Sequence, residues 1–168
     1  MSELLDALPD RIEHAACALL EAACANDLSI VTAESCTGGL LASLLTDVEG
    51  ASHAFERGFV VYTEDAKHEL LGVPRGMLEE HGAVSRATAV AMAEGALARS
   101  KGTIAVSITG FAGPGGPGDE AGLVHFACIR RGGPMAHREE HFGDIGRGPV
   151  RLNCLDTALA MLSRAVEA

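Results

Sequence analysis

The sequence predicts an α/β fold: a three-layer α/β/α sandwich around a mixed, mostly parallel sheet, formed by a single domain over residues 1–168. Three observations carry this. Short apolar runs such as Leu28–Ala33 and Thr103–Thr109 end in hydroxyl and glycine residues, as buried strands do when they turn into helices. Segments with helical apolar spacing alternate with those runs. Late in the chain, two strand-like segments flank Arg131-Gly132-Gly133-Pro134, which predicts an antiparallel hairpin.

Asp10-Arg11-Ile12-Glu13 reads as a capping box, with Asp10 as N-cap and Glu13 three residues on. Ile12, Ala15, Ala16, Leu19, Leu20 and Ala23 then keep one helical face apolar until about Asn26. The strand Leu28–Ala33 follows, and Gly38-Gly39 opens a helix from Leu40 to Thr46. A second strand is expected at Gly58–Tyr62. Thr63 supplies a capping hydroxyl, and Glu64 and Asp65 place acids in the first turn of a helix that stops at Gly72. A short helix from Arg75 to His81 ends at Gly82, a left-handed terminator. Ser85 caps an Ala-rich helix reaching about Ser100, and the strand Thr103–Thr109 leads into the turn-forming stretch Gly110–Gly118. Leu123–Ile129 and Met135–Phe142 form the hairpin strands. A last helix from about Val150 carries Leu152, Leu155, Leu159, Leu162 and Val166, a stripe that fits packing on the sheet or a short seam between two copies.

The net charge of −10 disfavours a nucleic-acid partner, because Arg130-Arg131 is a pair and not a basic stripe. Five cysteines, odd in number and without a CxxC pair, point to reduced thiols in a cytoplasmic protein and away from a disulfide framework or zinc site. The N-terminus has neither a basic leader nor a long apolar run, so no signal peptide or membrane span is expected. The seven histidines form no HxxxH or HExxH motif, although His137 and His141 would share a strand face.

Three segments can carry chemistry. Glu34-Ser35-Cys36-Thr37-Gly38-Gly39 joins a strand to a helix, where free main-chain N–H groups and the helix dipole can hold an anion or oxyanion. It also fits a plain turn capped by Ser35 or Thr37. Tyr62-Thr63-Glu64-Asp65-Ala66-Lys67 offers a lysine near a helix N-terminus, and a lysine freed of its proton by burial can activate a serine. A solvated lysine on an amphipathic helix is the other reading. Ser107-Ile108-Thr109-Gly110-Phe111-Ala112-Gly113-Pro114 is a second strand ending in glycines, and two such turns can face one crevice. It lacks the Gly-Lys-Ser/Thr of a nucleotide-binding P-loop.

Thr32–Gly39, Val61–Lys67, Leu70–Val73, Gly82–Ser85, Ala91–Gly95 and Thr109–Pro114 together resemble the C-terminal domain of the CinA family, from about residue 10 to the end. The resemblance implies a stand-alone nicotinamide-nucleotide amidase. Such an enzyme takes a small phosphorylated substrate, nicotinamide mononucleotide, to nicotinate mononucleotide and ammonia. It implies no cofactor and no metal, and a homo-oligomer, often a dimer. It assigns Ser35 as nucleophile, Lys67 as general base and Tyr62 as its partner hydroxyl. Thr37 and Thr109 would line the pocket, and Gly38, Gly39, Gly110 and Ala112 would lend main-chain N–H groups to the phosphate or oxyanion.

The chain departs from the family pattern at Asp119–Gly122, where a Lys-Pro-Val-Gly-like stretch is usual. It departs again at Gly143-Asp144-Ile145-Gly146-Arg147, where Gly-Asp-Arg is usual. Arg147 or Arg151 would then have to supply the missing cations. Cys36 is a rival nucleophile, since a helix N-terminus lowers a thiol pKa. A nucleotide-binding module without turnover, and an amidase for another carboxamide, are the alternatives at the level of function.

Overall fold

The computed structural model of the chain describes residues 8–168; the reading of the extreme N-terminus as free of a leader lies outside them. The elements run α1 (Asp10–Ala25), β1 (Ile30–Glu34), α2 (Leu40–Thr46), β2 (Phe55–Val60), α3 (Glu64–Leu71), α4 (Arg75–His81), α5 (Arg86–Ala98), β3 (Ile104–Gly110), β4 (Leu123–Arg130), β5 (Met135–His141) and α6 (Arg147–Glu167). One sheet has the order β2-β1-β3-β4-β5. β1 pairs in parallel with β2 and β3, while β4 is antiparallel to both β3 and β5. Only β4 therefore opposes the common direction, as expected of a mixed, mostly parallel sheet.

Side-chain alternation divides the core. Ile30, Ile104, Val106 and Ile108 face one way and pack with α1 (Ile12, Leu19), α2 (Leu41, Leu44) and α6 (Leu155, Leu159, Leu162). Val31, Ala33 and Ala105 face the other way, against Leu71 of α3, Leu78 of α4 and Met92 and Ala96 of α5. Fully burying one such aliphatic side chain contributes about 1.5–3 kcal/mol. The central strands β1 and β3 are thus buried on both faces and the edge strands β2 and β5 are not. The leucine stripe of α6 is spent inside the chain's own core, which leaves it no part as a seam between copies.

Several boundaries differ from the sequence reading, and four of them have a local cause or consequence. Asp10 is the first helical residue of α1 and not its cap; Pro9 occupies the cap without any side-chain bond, its carbonyl accepting from Ile12 N. β1 begins at Ile30, because the Ser29 carbonyl is taken by Thr103 and Ile104. β2 is displaced to Phe55–Val60, leaving Val61 and Tyr62 beyond the strand. α6 begins at Arg147. Pro149 is tolerated there because first-turn N–H groups have no intrahelical acceptor to lose. The caps at Thr63 and Ser85 form as expected, accepting from Ala66 N and Thr88 N.

Arg130 and Arg131 are anchored, not free. Arg130 donates to the Ala165 and Val166 carbonyls at the end of α6, and Arg131 to the Leu97 carbonyl in the last turn of α5 and the Gly102 carbonyl beyond it. Among the described residues no helix is long and apolar enough to cross a membrane.

Gly95 lets α5 approach α3: a Cβ at this position would overlap the Leu71 carbonyl. Because main chain cannot swing aside as a side chain can, Gly95→Ala is expected to destabilise the protein by about 1–3 kcal/mol, the usual cost of overpacking. Urea unfolding monitored by circular dichroism measures it; an unchanged midpoint would show that α3 and α5 have room to separate.

Candidate active site

The carboxyl ends of the three adjacent parallel strands meet at one end of the sheet. In this topology the chain leaves β1 toward β2 and leaves β3 toward β4, so a crevice opens between β1 and β3. Ser35 directly follows β1, and its amide donates to the Ile108 carbonyl of β3 at 3.0 Å. Val61 directly follows β2, and its amide donates to the Glu34 carbonyl at 2.8 Å. Gly110 ends β3 and begins the glycine turn.

Lys67 lies one turn inside α3, oriented by the Thr63 cap. It is among the largest fully buried side chains, at 1% exposure. Its Nζ is 2.9 Å from Ser35 Oγ, 2.9 Å from the Val61 carbonyl and 3.2 Å from the Tyr62 carbonyl. Burial lowers its pKa from the ordinary lysine value, opposed by Cys36 and by Glu64 one turn earlier. A neutral amine has two N–H donors and one lone pair. The two carbonyls can only accept, so in the neutral form they would take the N–H groups and the lone pair would face the Ser35 hydroxyl. The solvated-lysine reading is excluded.

Tyr62 meets Lys67 through its main-chain carbonyl, and not through its hydroxyl as expected. Its side chain is 65% exposed and lines the mouth of the pocket. The reason is the end of β2 at Val60, which releases two successive carbonyls from strand pairing and turns them toward the lysine.

An adjoining pocket of about 160 Å³ is lined by Cys36 and Tyr62, but not by Ser35 or Lys67 themselves. Cys36 and Tyr62 form one wall, the turn from Gly110 to Gly115 the other, and Arg147 closes the rim. Phe111 N is committed to the Leu123 carbonyl, whereas Ala112 N has no hydrogen-bond partner among the described residues and remains a donor for ligand. Arg147 is exposed, makes no ion pair among the described residues, and lays its guanidinium against Gly113. Arg151 is turned inward, donating from Nε to the Cys36 carbonyl at 2.9 Å. The loop at Asp119 folds on itself, with Oδ2 accepting from Gly116 N at 2.7 Å.

The remaining expected residues do not line this pocket. The Thr109 hydroxyl, buried, donates to the Ala83 carbonyl at 2.7 Å and ties down the turn before α5. Gly38 N is spent on the Ser35 carbonyl. Gly38 and Gly39 instead supply the left-handed conformations, φ +62° and +93°, that bring the chain from β1 into α2. Thr37 is buried with its hydroxyl unpartnered among the described residues.

One residue at the site was missed. Glu34 is fully buried, and its carboxylate accepts from Leu41 N at 3.0 Å and Ala42 N at 2.8 Å. The start of α2, expected to greet a substrate anion, is occupied by the protein's own carboxylate. A lone acid ending an apolar strand, seven residues before a helical N–H, was the available signal. His137 and His141, expected to share a face, have separate partners: His137 meets His125, and His141 meets Glu120 and Glu139.

Cys36 is buried in the cluster that contains Val150 and Cys154. The neighbouring Cys154 thiol and Arg151 lower its pKa from the ordinary thiol value, against the effect of burial.

Residues 12–166 match the CinA C-terminal domain family. The "nicotinamide-nucleotide amidohydrolase PncC" of Escherichia coli is 45% identical over 141 residues, covering 82% of this chain and 84% of that protein. A "putative competence-damage inducible protein" of Caldicellulosiruptor bescii is 56% identical over 106 residues. The chain spans about a quarter of the length of that protein, as it does for several other relatives it matches. The solved structure of the competence/damage inducible protein CihA from Agrobacterium tumefaciens superposes with a TM-score of 0.92 at 47% identity, over 96% of this chain and 98% of that one.

Glu34→Gln keeps the size of the side chain but places an amide nitrogen against one of two N–H donors. The expected outcome is a loss of about 1–3 kcal/mol of stability, the cost of a charge-assisted bond left unmade in the interior. Chemical denaturation checks it, and an unperturbed variant would mean the α2 amides find other acceptors.

Proposed function

The chain belongs to the CinA C-terminal domain family, and from that premise we propose that it is a metal-independent amidohydrolase that converts nicotinamide mononucleotide to nicotinate mononucleotide and ammonia. The observation that carries the proposal is the buried Lys67 amine, whose Nζ lies 2.9 Å from the Ser35 hydroxyl and within hydrogen-bond distance of the Val61 and Tyr62 carbonyls. The relative from Escherichia coli supports the substrate assignment.

Ser35 Oγ attacks the carboxamide carbon as its proton passes to Lys67 Nζ. The ammonium so formed keeps its bonds to the Val61 and Tyr62 carbonyls and carries the proton needed by departing ammonia. Water then cleaves the acyl-serine, with Lys67 again accepting a proton. Main-chain donors of the 110–115 turn, Ala112 among them, are the groups available to the oxyanion. Cys36 is a poor rival as nucleophile, because it is buried and the side chain bonded to Lys67 Nζ is the Ser35 hydroxyl. Arg147, at the rim, is the cation placed to receive the phosphate.

Ser35→Ala and Lys67→Ala should each lower ammonia release by about 100-fold or more while leaving the circular dichroism spectrum unchanged. Full activity in Ser35→Ala would sink the mechanism, and tight nucleotide binding by an inactive wild type would mark a binding module instead.

The pH dependence follows from the sign of the Lys67 shift. Only the neutral amine can accept a proton, so kcat/KM should rise with pH through an apparent pKa below 10.5. Stability should move the same way. Between the lowered folded value and the ordinary value of 10.5, the unfolded chain binds more protons, so raising pH favours the folded state. Wild type should therefore gain stability relative to Lys67→Met as pH rises toward 10.5, and a flat difference would argue against a neutral lysine.

Arg147→Ala should raise KM for the mononucleotide about tenfold with kcat little changed, as for loss of one charge-assisted contact at an exposed rim. Steady-state kinetics with phosphorylated and unphosphorylated amides reads this directly; an effect equal for both would place the phosphate elsewhere.

A further inference from the structure

A cavity of about 440 Å³ lies away from Ser35, in the corner between the β4–β5 hairpin and the last turns of α6. That volume falls in the range of small-molecule sites, about 300–1,000 Å³. Its floor is the sheet itself, where Cys128 and Ala136 are cross-strand partners with short side chains. Ala136 is exposed although it is an apolar strand residue, and Met161 of α6 stands beside it. Burial pushes the Cys128 thiol up to about 12, so the floor carries a neutral sulfur. Four arginines line the cavity, Arg130, Arg131, Arg138 and Arg164, and among the described residues no Asp or Glu side chain does. This is a concentration of positive charge in a chain of net charge −10. Two of the four are already committed. Arg138 pairs with Glu140, and Arg131 is tied to the Leu97 and Gly102 carbonyls on the α5 side. Arg130 and Arg164 make no ion pair among the described residues. Arg130 uses only Nη1, on the Ala165 and Val166 carbonyls, which sets its guanidinium beside the residue that follows Arg164.

We propose that this corner is a second binding site, for a phosphate monoester carried on a planar aromatic body, of the nucleoside monophosphate class. A phosphate monoester bears about 1.5–2 negative charges at neutral pH, which the two unneutralised guanidinium groups match. The guanidinium fork fits phosphate oxygens and also stacks on aromatic rings. A shelf of short side chains beside a thioether accepts a flat ring, and sulfur–aromatic contact is favourable. The carbonyls that end α6 carry partial negative charge and would repel an anion. Arg130 covers the Ala165 and Val166 carbonyls, which offsets that repulsion. The corner is distinct from the reaction centre. Arg147 begins α6 and Arg164 lies in its last turn, about 25 Å away at the helical rise. None of these residues takes part in amide hydrolysis, so the proposal stands apart from the amidase reading.

The test is isothermal titration calorimetry of the full chain with adenosine monophosphate, which has no carboxamide to hydrolyse, alongside adenosine and inorganic phosphate separately. The expected result is saturable binding of the monophosphate, with each half alone weaker by about tenfold or more. Arg164→Ala, an exposed change, should weaken binding about tenfold, as for loss of one charge-assisted contact. Added salt should weaken it too, since exposed charges are screened. Arg147→Ala should leave it unchanged. In amide NMR spectra of wild type, the signals that move with ligand should be those of Ala136, Arg138 and Ala165, a readout that needs no variant. Absence of binding overturns the proposal. Binding lost in Arg147→Ala and kept in Arg164→Ala places the ligand beside Ser35 and also overturns it. Inorganic phosphate binding as tightly as the monophosphate overturns the aromatic assignment. Shifts at these amides that follow protein concentration and not ligand show a second copy in the corner, and overturn it as well. Ammonia release from nicotinamide mononucleotide is measured separately, so failure here is distinguishable from failure of the amidase reading.

Discussion

The structure is organised around a lysine amine taken out of water. An ammonium group deprived of solvent and without a counter-charge is costly, and proteins meet that cost by shifting the group toward its neutral form. Lys67 faces carbonyl oxygens and a serine hydroxyl, with no carboxylate bonded to it. Everything that fixes this arrangement comes from a different part of the chain. α3 supplies the lysine, the end of β2 supplies two carbonyls, and the end of β1 supplies the hydroxyl. The central position of β1, hydrogen-bonded to β2 on one side and β3 on the other, holds these pieces in register.

Glu34 and Lys67 show two ways of burying a titratable side chain beside one reaction centre. The carboxylate accepts two main-chain N–H groups at the start of α2, where the helix dipole favours negative charge. The amine is desolvated near the start of α3, where the same dipole disfavours positive charge. Ser35 lies between these two helix origins. The turn that carries it is pinned from below by Glu34, from the side by Ile108 and from behind by Arg151. A side chain held at so many points needs little reorganisation if it is to react.

Much of this was legible along the chain. Helix ends were readable wherever a local side chain decides them: Thr63 and Ser85 cap, and Gly72 and Gly82 terminate. Asp10 misled because Pro9 set the α1 entry through main-chain bonds that no side-chain pattern records. The misplaced bounds of β2 have the same origin, since pairing with β1, not composition, selects Phe55–Val60. At the site, the three chemistry-bearing segments were visible as strand ends rich in hydroxyls and glycines. The partners inside them were not: Tyr62 acts by its carbonyl, Thr109 turns to Ala83, and Glu34 fills the helix start assigned to a ligand.

The sequence by itself determined the α/β class, the hairpin, the caps at Thr63 and Ser85 and the two residues, Ser35 and Lys67, proposed to carry the chemistry. These follow from local spacing, turn chemistry and the resemblance carried by contiguous motifs. Only the tertiary structure decided which groups those residues touch. Thirty-two residues separate Ser35 from Lys67, and 115 separate Cys36 from Arg151. Their contacts exist because parallel pairing brings strand ends together and because α1, α2 and α6 close over one face of the sheet. Desolvation of Lys67, and with it the lowering of its pKa, is a property of that enclosure and of no segment alone.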